Sequence, residues 1–302
     1  MGRTCARARR AHGAVRGAAV TRALTLLAPA KINLALAVTG KRDGYHELRS
    51  VFATIDLADR VRVAAWRRLE VRIAPDVGAP PGDDLASRAV RAMAVATGRE
   101  PAAFVHIRKR VPVAAGLGGG SSDAAAVFRA LATIWQREDV DLVALGATVG
   151  SDVPFFTTGA RIAFVSGRGE RVDPLPDPAL LHVVIVRTHA RLSTPDVFAA
   201  LRSDDRGAGP AVDALRDAFA RHSVTPQLLR ESASNDLLGP AERLCPDIAE
   251  TRSRAAQHGI ALSLTGSGPT LFAIADDRRD ALRIARILRR MGLSAHAHTM
   301  AG

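Results

Sequence analysis

Residues 112–126 read Pro112-Val113-Ala114-Ala115-Gly116-Leu117-Gly118-Gly119-Gly120-Ser121-Ser122-Asp123-Ala124-Ala125-Ala126. Four glycines within five positions let the backbone turn sharply and pass close to a ligand. Two serines and an aspartate follow, and then an alanine-rich run through Leu131 that favours helix. The glycines therefore open onto a helix N-terminus, whose free N–H groups and dipole favour an anion, commonly a phosphate. A Walker loop would need lysine and a hydroxyl residue after the glycines, and none follows. A dinucleotide fingerprint would need a second strand and an acidic residue about 20 positions on, where this chain has helix and loop. The competing reading is an ordinary turn capped by Ser121 or Asp123.

Bulk properties narrow the surroundings of that loop. A chain of 302 residues can hold two modest domains around a cleft. No apolar run reaches the roughly 18 residues of a membrane helix. Cys5 and Cys245 are too few for a disulfide framework, which fits a reducing, cytoplasmic setting. Half of the net charge of +12 lies in residues 1–22, which hold six arginines and no acid. That segment reads as a disordered basic extension over 1–20 and is set apart from the fold. Arginines outnumber lysines 39 to 3, a compositional bias more than a designed patch. A non-catalytic nucleotide- or RNA-binding protein is the reading from another class, and it would show steep salt dependence.

Outward from the loop, strands are predicted at 21–28 and 32–38, with Pro29-Ala30-Lys31 as a break, and then at 46–57, 61–65, 69–73 and 104–108. A helix capped by Asp84 spans 85–97, the loop helix runs to 135, and another helix covers 141–149. A strand follows near 161–165, and Pro174, Pro176 and Pro178 mark a boundary. Domains are thus expected at 21–175 and 180–302. In the second, strands fall at 182–187, 260–264, 270–275 and 294–298. Helices fall from Thr194-Pro195, over 211–222 and 246–258, and over 280–291. This order indicates an α+β class.

Four further stretches carry chemistry. Lys31 and Asn33 alternate on a strand and so share a face, able to address one ligand together. Asp152, in Gly150-Ser151-Asp152-Val153-Pro154, is either a loop cap or a carboxylate put to use. Phosphoryl transfer needs a phosphate cradle, a cation and a group that orients the attacking hydroxyl, and the loop, Lys31 and Asp152 can supply one each. Asp43-Gly44-Tyr45-His46 sets the chain's single tyrosine beside an imidazole. That is a packed hairpin turn or a platform for a nucleobase. Gly266-Ser267-Gly268-Pro269 is a tight loop between strands, able to bring amides against a phosphate. The remaining histidines show no metal-ligand spacing.

The glycine loop resembles the ATP loop of the GHMP small-molecule kinases. With Pro29-Ala30-Lys31-Ile32-Asn33-Leu34, Asp43-Gly44-Tyr45-His46, Gly150-Ser151-Asp152-Val153-Pro154-Phe155, Ser234-Asn235-Asp236-Leu237 and Thr265-Gly266-Ser267-Gly268-Pro269, the chain is similar over about 24–299 to one branch. That branch phosphorylates the 2-hydroxyl of 4-diphosphocytidyl-2-C-methyl-D-erythritol in non-mevalonate isoprenoid synthesis. The alternative within the superfamily is a sibling kinase for mevalonate, homoserine or another small alcohol, which would share the loop and have no use for Tyr45-His46. The resemblance implies a two-domain GHMP kinase fold, with a ribosomal-S5-like N-terminal and a ferredoxin-like C-terminal domain. It implies Lys31 and Asp152 as catalytic residues. It implies ATP on Pro112, Val113, Ala114, Ala115, Gly116, Leu117, Gly118, Gly119, Gly120, Ser121 and Ser122, with Mg2+ on ligands left open. Asn33, Tyr45, His46, Thr194, Phe198, Ser267 and Gly268 would hold the small-molecule substrate, with Tyr45 and Phe198 flanking the cytosine. No specific nucleic acid or membrane partner is expected, and the state is monomer or homodimer. Asp84 stands where the branch often has asparagine.

Overall fold

The computed structural model describes residues 23–42, 44–76, 78, 82–177, 180–188 and 192–300. The basic extension at 1–20 with Cys5, Asp43 of the turn and Pro178 of the boundary lie outside them. In the first half the order is β1 (Ala23–Arg42), β2 (Tyr45–Ala65), β3 (Glu70–Ala74), α1 (Leu85–Thr97), β4 (Ala103–Arg108), α2 (Gly119–Trp135), α3 (Leu142–Ala147), α4 (Val153–Thr158), β5 (Ile162–Gly167) and β6 (Arg171–Pro174). The second half has β7 (Leu181–Arg187), α5 (Thr194–Ala199), a short 3-10 turn at Ser203–Asp205, α6 (Gly209–Ala220), α7 (Pro226–Ser232) and α8 (Leu238–Leu244). It continues with α9 (Pro246–Ala256), β8 (Ser263–Leu264), β9 (Leu271–Ala275), α10 (Arg278–Arg290) and β10 (Ser294–Met300). The expected α+β class is what the chain adopts.

The strands hydrogen-bond in the order β3-β4-β2-β10-β7-β9-β8, with β1 and β5 also on β2 and β6 on β5. All pairs are antiparallel except β3 with β4. One register pair, Met300 with Ile55, joins β10 to β2 and carries the sheet from one half into the other.

The break expected at Pro29 does not occur. β1 runs on from Ala23 to Arg42, and the register shifts between Pro29 and Ala30. A bulge tolerates a residue without an N–H, so proline bends the strand there without ending it. Beyond the bulge, every residue from Ala30 to Val38 is buried. One face packs on Val51, Ile185 and Phe272, and Leu36 and Val38 pack on Leu237 and Leu264. Lys31 and Asn33 thus stand in a strand covered on both faces, and polar groups there need partners.

α2 is apolar nearly all round and forms the centre of the first half. Phe128 and Leu131 are fully buried, among Met93 of α1, Val105 of β4 and Phe155 of α4. A helix of that composition belongs inside the core, and its N-terminus is consequently held in one place. Short α4, α7 and α8 and strand β6 were not expected from sequence, being too short to show a period.

Candidate active site

The glycine loop ends in Gly118, whose left-handed φ of 68° caps α2 without any side-chain hydrogen bond. Neither Ser121 nor Asp123 caps, so the ordinary-turn reading is not what the structure shows. The amides of the first turn face a cleft of about 510 Å³ that the loop from Pro112 to Ser121 lines. A Cβ on Gly119 would stand 2.8 Å from Val111 Cγ1 and 3.3 Å from Lys109 Nζ. Glycine there keeps the loop low over α2, which fits a bound phosphate chain.

Beside the loop, β1 presents Lys31, only 3% exposed, whose N donates to Leu117 O at 2.9 Å. Its Nζ donates to Asn33 Oδ1 at 2.7 Å, lies 3.4 Å from Asp152 Oδ2 and sits 4.3 Å from the centre of the Phe52 ring. Asn33 Nδ2 donates to Ser50 Oγ at 3.0 Å, which fixes the carboxamide's orientation. Asp152 occupies the N-cap position of α4 but makes no capping bond. Its carboxylate is turned to Lys31 and is partly open to the cleft.

The second half closes the site. Asn33 N donates to Thr265 Oγ1 at 3.0 Å, and Thr194 Oγ1 and Ser267 Oγ lie 2.8 Å apart. Gly266 and Gly268 both have positive φ and bring their loop against Gly116. Lys31, Asn33, Asp152, Thr194, Phe198 and Ser267 are therefore all on one cleft. Gly268 stands behind the wall, and Ser122 is fully buried.

Of the two rings expected to flank the cytosine, Phe198 lines the cleft and Tyr45 is not among its lining residues. Phe198 stacks on His46, with ring centres 4.9 Å apart and planes 23° from parallel. Tyr45 is exposed and carries the Arg168 guanidinium 4.8 Å above its ring. Partial burial, then the charges of Lys41 and Arg206, hold the His46 imidazole below the usual histidine pKa. At neutral pH it is uncharged and has one donor and one acceptor nitrogen.

Residues 84–160 match the model of the GHMP kinases N-terminal domain, and 207–293 that of the GHMP kinases C-terminal domain. A 4-diphosphocytidyl-2-C-methyl-D-erythritol kinase of Thermus thermophilus is 41% identical over 279 residues, 91% of this chain and 96% of that protein. The chain belongs to the 4-diphosphocytidyl-2-C-methyl-D-erythritol kinase family. A relative of the same name from Bacillus cytotoxicus is 37% identical, over 83% of this chain and 88% of its own length. A crystal structure of a 4-(cytidine 5'-diphospho)-2C-methyl-D-erythritol kinase superposes with a TM-score of 0.76 at 39% identity, over 92% of this chain and all of the other. Homoserine kinase of Cytophaga hutchinsonii, at 18% identity and a TM-score of 0.70, shares the fold. The kinases of this superfamily use ATP, and among the described residues no helix is long and apolar enough to cross a membrane.

The kinase also has a cleft residue that motif reading missed. Lys109, at the end of β4, lies between two carboxylates, 2.5 Å from Asp59 Oδ2 and 2.8 Å from Asp123 Oδ2. Asp59 Oδ1 also accepts from the amides of Arg110, at 2.5 Å, and Val111, at 2.8 Å. The strand end, the start of the loop and the first turn of α2 are thereby tied together. A signal for this residue was available. In a chain with only three lysines, two of them line this cleft. The lysine ammonium is a compact charge with three rotatable donors, enough to reach both carboxylates.

The triad makes a pH prediction. Burial pushes the Asp123 carboxyl up to about 7; Lys109 opposes this and the neighbouring Asp59 charge adds to it. Burial disfavours the Lys109 ammonium, yet the two carboxylates outweigh it and its pKa stands above lysine's ordinary value. Between its unfolded pKa near 4 and about 7, Asp123 binds a proton when folded and not when unfolded. Its contribution to stability therefore falls as pH rises through that window. The Lys109 contribution is intact below lysine's ordinary pKa and does not vary there. Urea unfolding at pH 5 and pH 8 should show Asp123→Asn removing a decline of about 2–3 kcal/mol, at ~1.36 kcal/mol per pH unit. Equal pH slopes in the variant and the parent would contradict this reading of the triad.

Proposed function

We propose that the kinase transfers the γ-phosphoryl group of ATP to the 2-hydroxyl of 4-diphosphocytidyl-2-C-methyl-D-erythritol. The observation that carries this is the Lys31–Asp152 pair, set in one cleft with an uncapped helix N-terminus and the Thr194–Ser267 hydroxyls. The loop amides from Gly116 to Ser121, which line the cleft, hold the phosphates. Asp152 orients the acceptor hydroxyl and takes its proton. The hydroxyl oxygen bonds to the γ-phosphorus while the bond to the β–γ bridging oxygen breaks, and ADP leaves. The Lys31 ammonium offsets the charge that develops on the transferring group. Asn33 and Ser267 hold the alcohol end of the substrate, Gly268 shapes their loop from behind, and Thr194 steadies Ser267.

Among the described residues no cluster of three or more His, Cys, Asp or Glu could hold a metal by itself. Magnesium arriving with ATP would be held chiefly by the nucleotide phosphates, as Mg2+ commonly is. Bound there it would neutralise phosphate charge, and Asp152, with two oxygens, would supply the protein ligand beside the hydroxyl.

The cytosine stacks where Phe198 lines the cleft, with His46 stacked on that ring just beyond the lining and Tyr45 next to it in sequence. Stacking on one aromatic ring is worth about 1–3 kcal/mol per base. Phe198→Ala should therefore raise KM for the cytidine substrate roughly tenfold to a hundredfold, at ~1.4 kcal/mol per decade. If the stack is the same in ground and transition states, kcat should hold. The uridine analogue puts an acceptor where cytosine has a donor and should be rejected. Steady-state kinetics on the cytidine substrate, the uridine analogue and methylerythritol phosphate tests the assignment. Comparable kcat/KM on all three would show that the base is not read and would favour a sibling alcohol.

A further inference from the structure

The Ser234-Asn235-Asp236-Leu237 stretch belongs to none of the roles above, yet it lies between β1 and the 264–268 loop of the site. Its backbone is fastened to β1. Leu36 N donates to Ser234 O at 2.9 Å, and Asp236 N donates to Leu36 O at 3.0 Å. The buried Asp236 carboxylate adds three bonds, from Val38 N at 2.7 Å and from Gly207 N and Ala208 N at 2.9 Å each. The segment therefore moves with the strand that carries Lys31 and Asn33.

From that anchor the Asn235 carboxamide reaches the 264–268 loop. Its Nδ2 donates to Leu264 O and to Gly266 O, both at 2.9 Å, and its Oδ1 accepts from Leu237 N at 2.9 Å. The two carbonyls flank Thr265, whose hydroxyl accepts from Asn33 N and stands 3.4 Å from Gly116 O. Two donors and an acceptor on one short planar group are available only from asparagine's amide at this reach. Aspartate has the same shape but would face two carbonyl oxygens with a carboxylate.

We infer that Asn235 is a positioning residue for the phosphoryl transfer. It references the Gly266-Ser267-Gly268 loop to β1, so that Ser267 meets the alcohol substrate while Lys31 and Asp152 meet its hydroxyl. This rests on the proposed placing of the alcohol substrate at Ser267.

The test is Asn235→Asp, Ser267→Ala and the double variant, assayed with ATP and the cytidine diphosphate alcohol. Asn235→Asp should lower kcat/KM for the alcohol about 10–100-fold and change KM for ATP no more than about threefold. Because Asn235 acts through the loop, adding Ser267→Ala to it should cost little more, the sub-additivity expected of coupled residues. Hydrogen exchange of the peptide covering 264–270 should quicken in Asn235→Asp with no change in that covering α2. Should the carboxylate prevent folding, Asn235→Ala, which removes the donors without adding charge, carries the same comparisons. Wild-type kcat/KM in the variant, fully additive losses or unaltered exchange at 264–270 would overturn the inference. Absence of wild-type turnover would instead defeat the substrate assignment, and the exchange measurement would still decide the role of Asn235.

Discussion

Asp152→Asn is expected to lower kcat by about 10²–10⁴-fold, the usual contribution of a positioned proton acceptor, while ATP still binds. The substitution is isosteric, and Asp152 makes no capping bond whose loss would unravel α4. Lys31 keeps its 2.7 Å bond to Asn33 and its place over Phe52 when the Asp152 charge is gone. The fold and the phosphate cradle should therefore survive, and the loss should fall on the chemical step. Lys31→Met, which keeps the stem against Phe52 and removes the charge, should produce a loss of similar size through missing electrostatic stabilisation. Rates from single-turnover mixing, set beside equilibrium titration of ATP, separate the two steps. A kcat within a few-fold of wild type in Asp152→Asn would remove Asp152 from the reaction.

Gly116→Ala should be nearly as damaging, by a different route. Gly116 has a φ of 74°, a region that side chains other than glycine occupy at a cost of roughly 1–3 kcal/mol. The larger problem is space. A Cβ there would collide with Thr265 O and lie 3.1 Å from Gly268 O and 3.3 Å from Gly268 N. All three are backbone atoms, so no side chain can swing aside. The alanine must push the phosphate loop and the 264–268 loop apart, and with them the two halves of the bound reactants. Misplacement on the order of 1 Å can cost about 10²-fold in rate. Gly98→Ala is the control, since Gly98 also has positive φ but nothing within 4 Å of its would-be Cβ. Both variants should lose stability; only Gly116→Ala should lose kcat/KM by about a hundredfold. If the two had equal activity, the packing of these loops would not matter to catalysis.

Helices α1 and α2 were legible because each is long and has clear ends. Asp84 caps α1 by accepting from Ser87 N and Ser87 Oγ, and glycine opens α2. Strand alternation foretold that Lys31 and Asn33 would share a face, and the 2.7 Å bond between them realises it. Pro29 misled, because whether proline ends a strand or sits at a bulge depends on the partner strand. That partner, β2, is paired from Ala64 back to Tyr45. Phe198 lines the cleft, but its stack on His46 was not legible, since it depends on how α5 approaches the turn after β1.

By itself the sequence determined the α+β class, the central helix with its open glycine N-terminus, and the polar groups from which a phosphoryl-transfer site is built. These follow from local propensity and spacing, which act over a few residues. Only the tertiary structure decided which of those groups meet. Lys109 finds Asp59 across 50 residues, Asn33 finds Thr265 across 232, and Asn235 holds a loop about 30 residues further on. Such contacts depend on sheet order and on the packing of one half against the other. Buried polar groups then take whichever partners that packing brings within reach, because leaving them unpaired is costly.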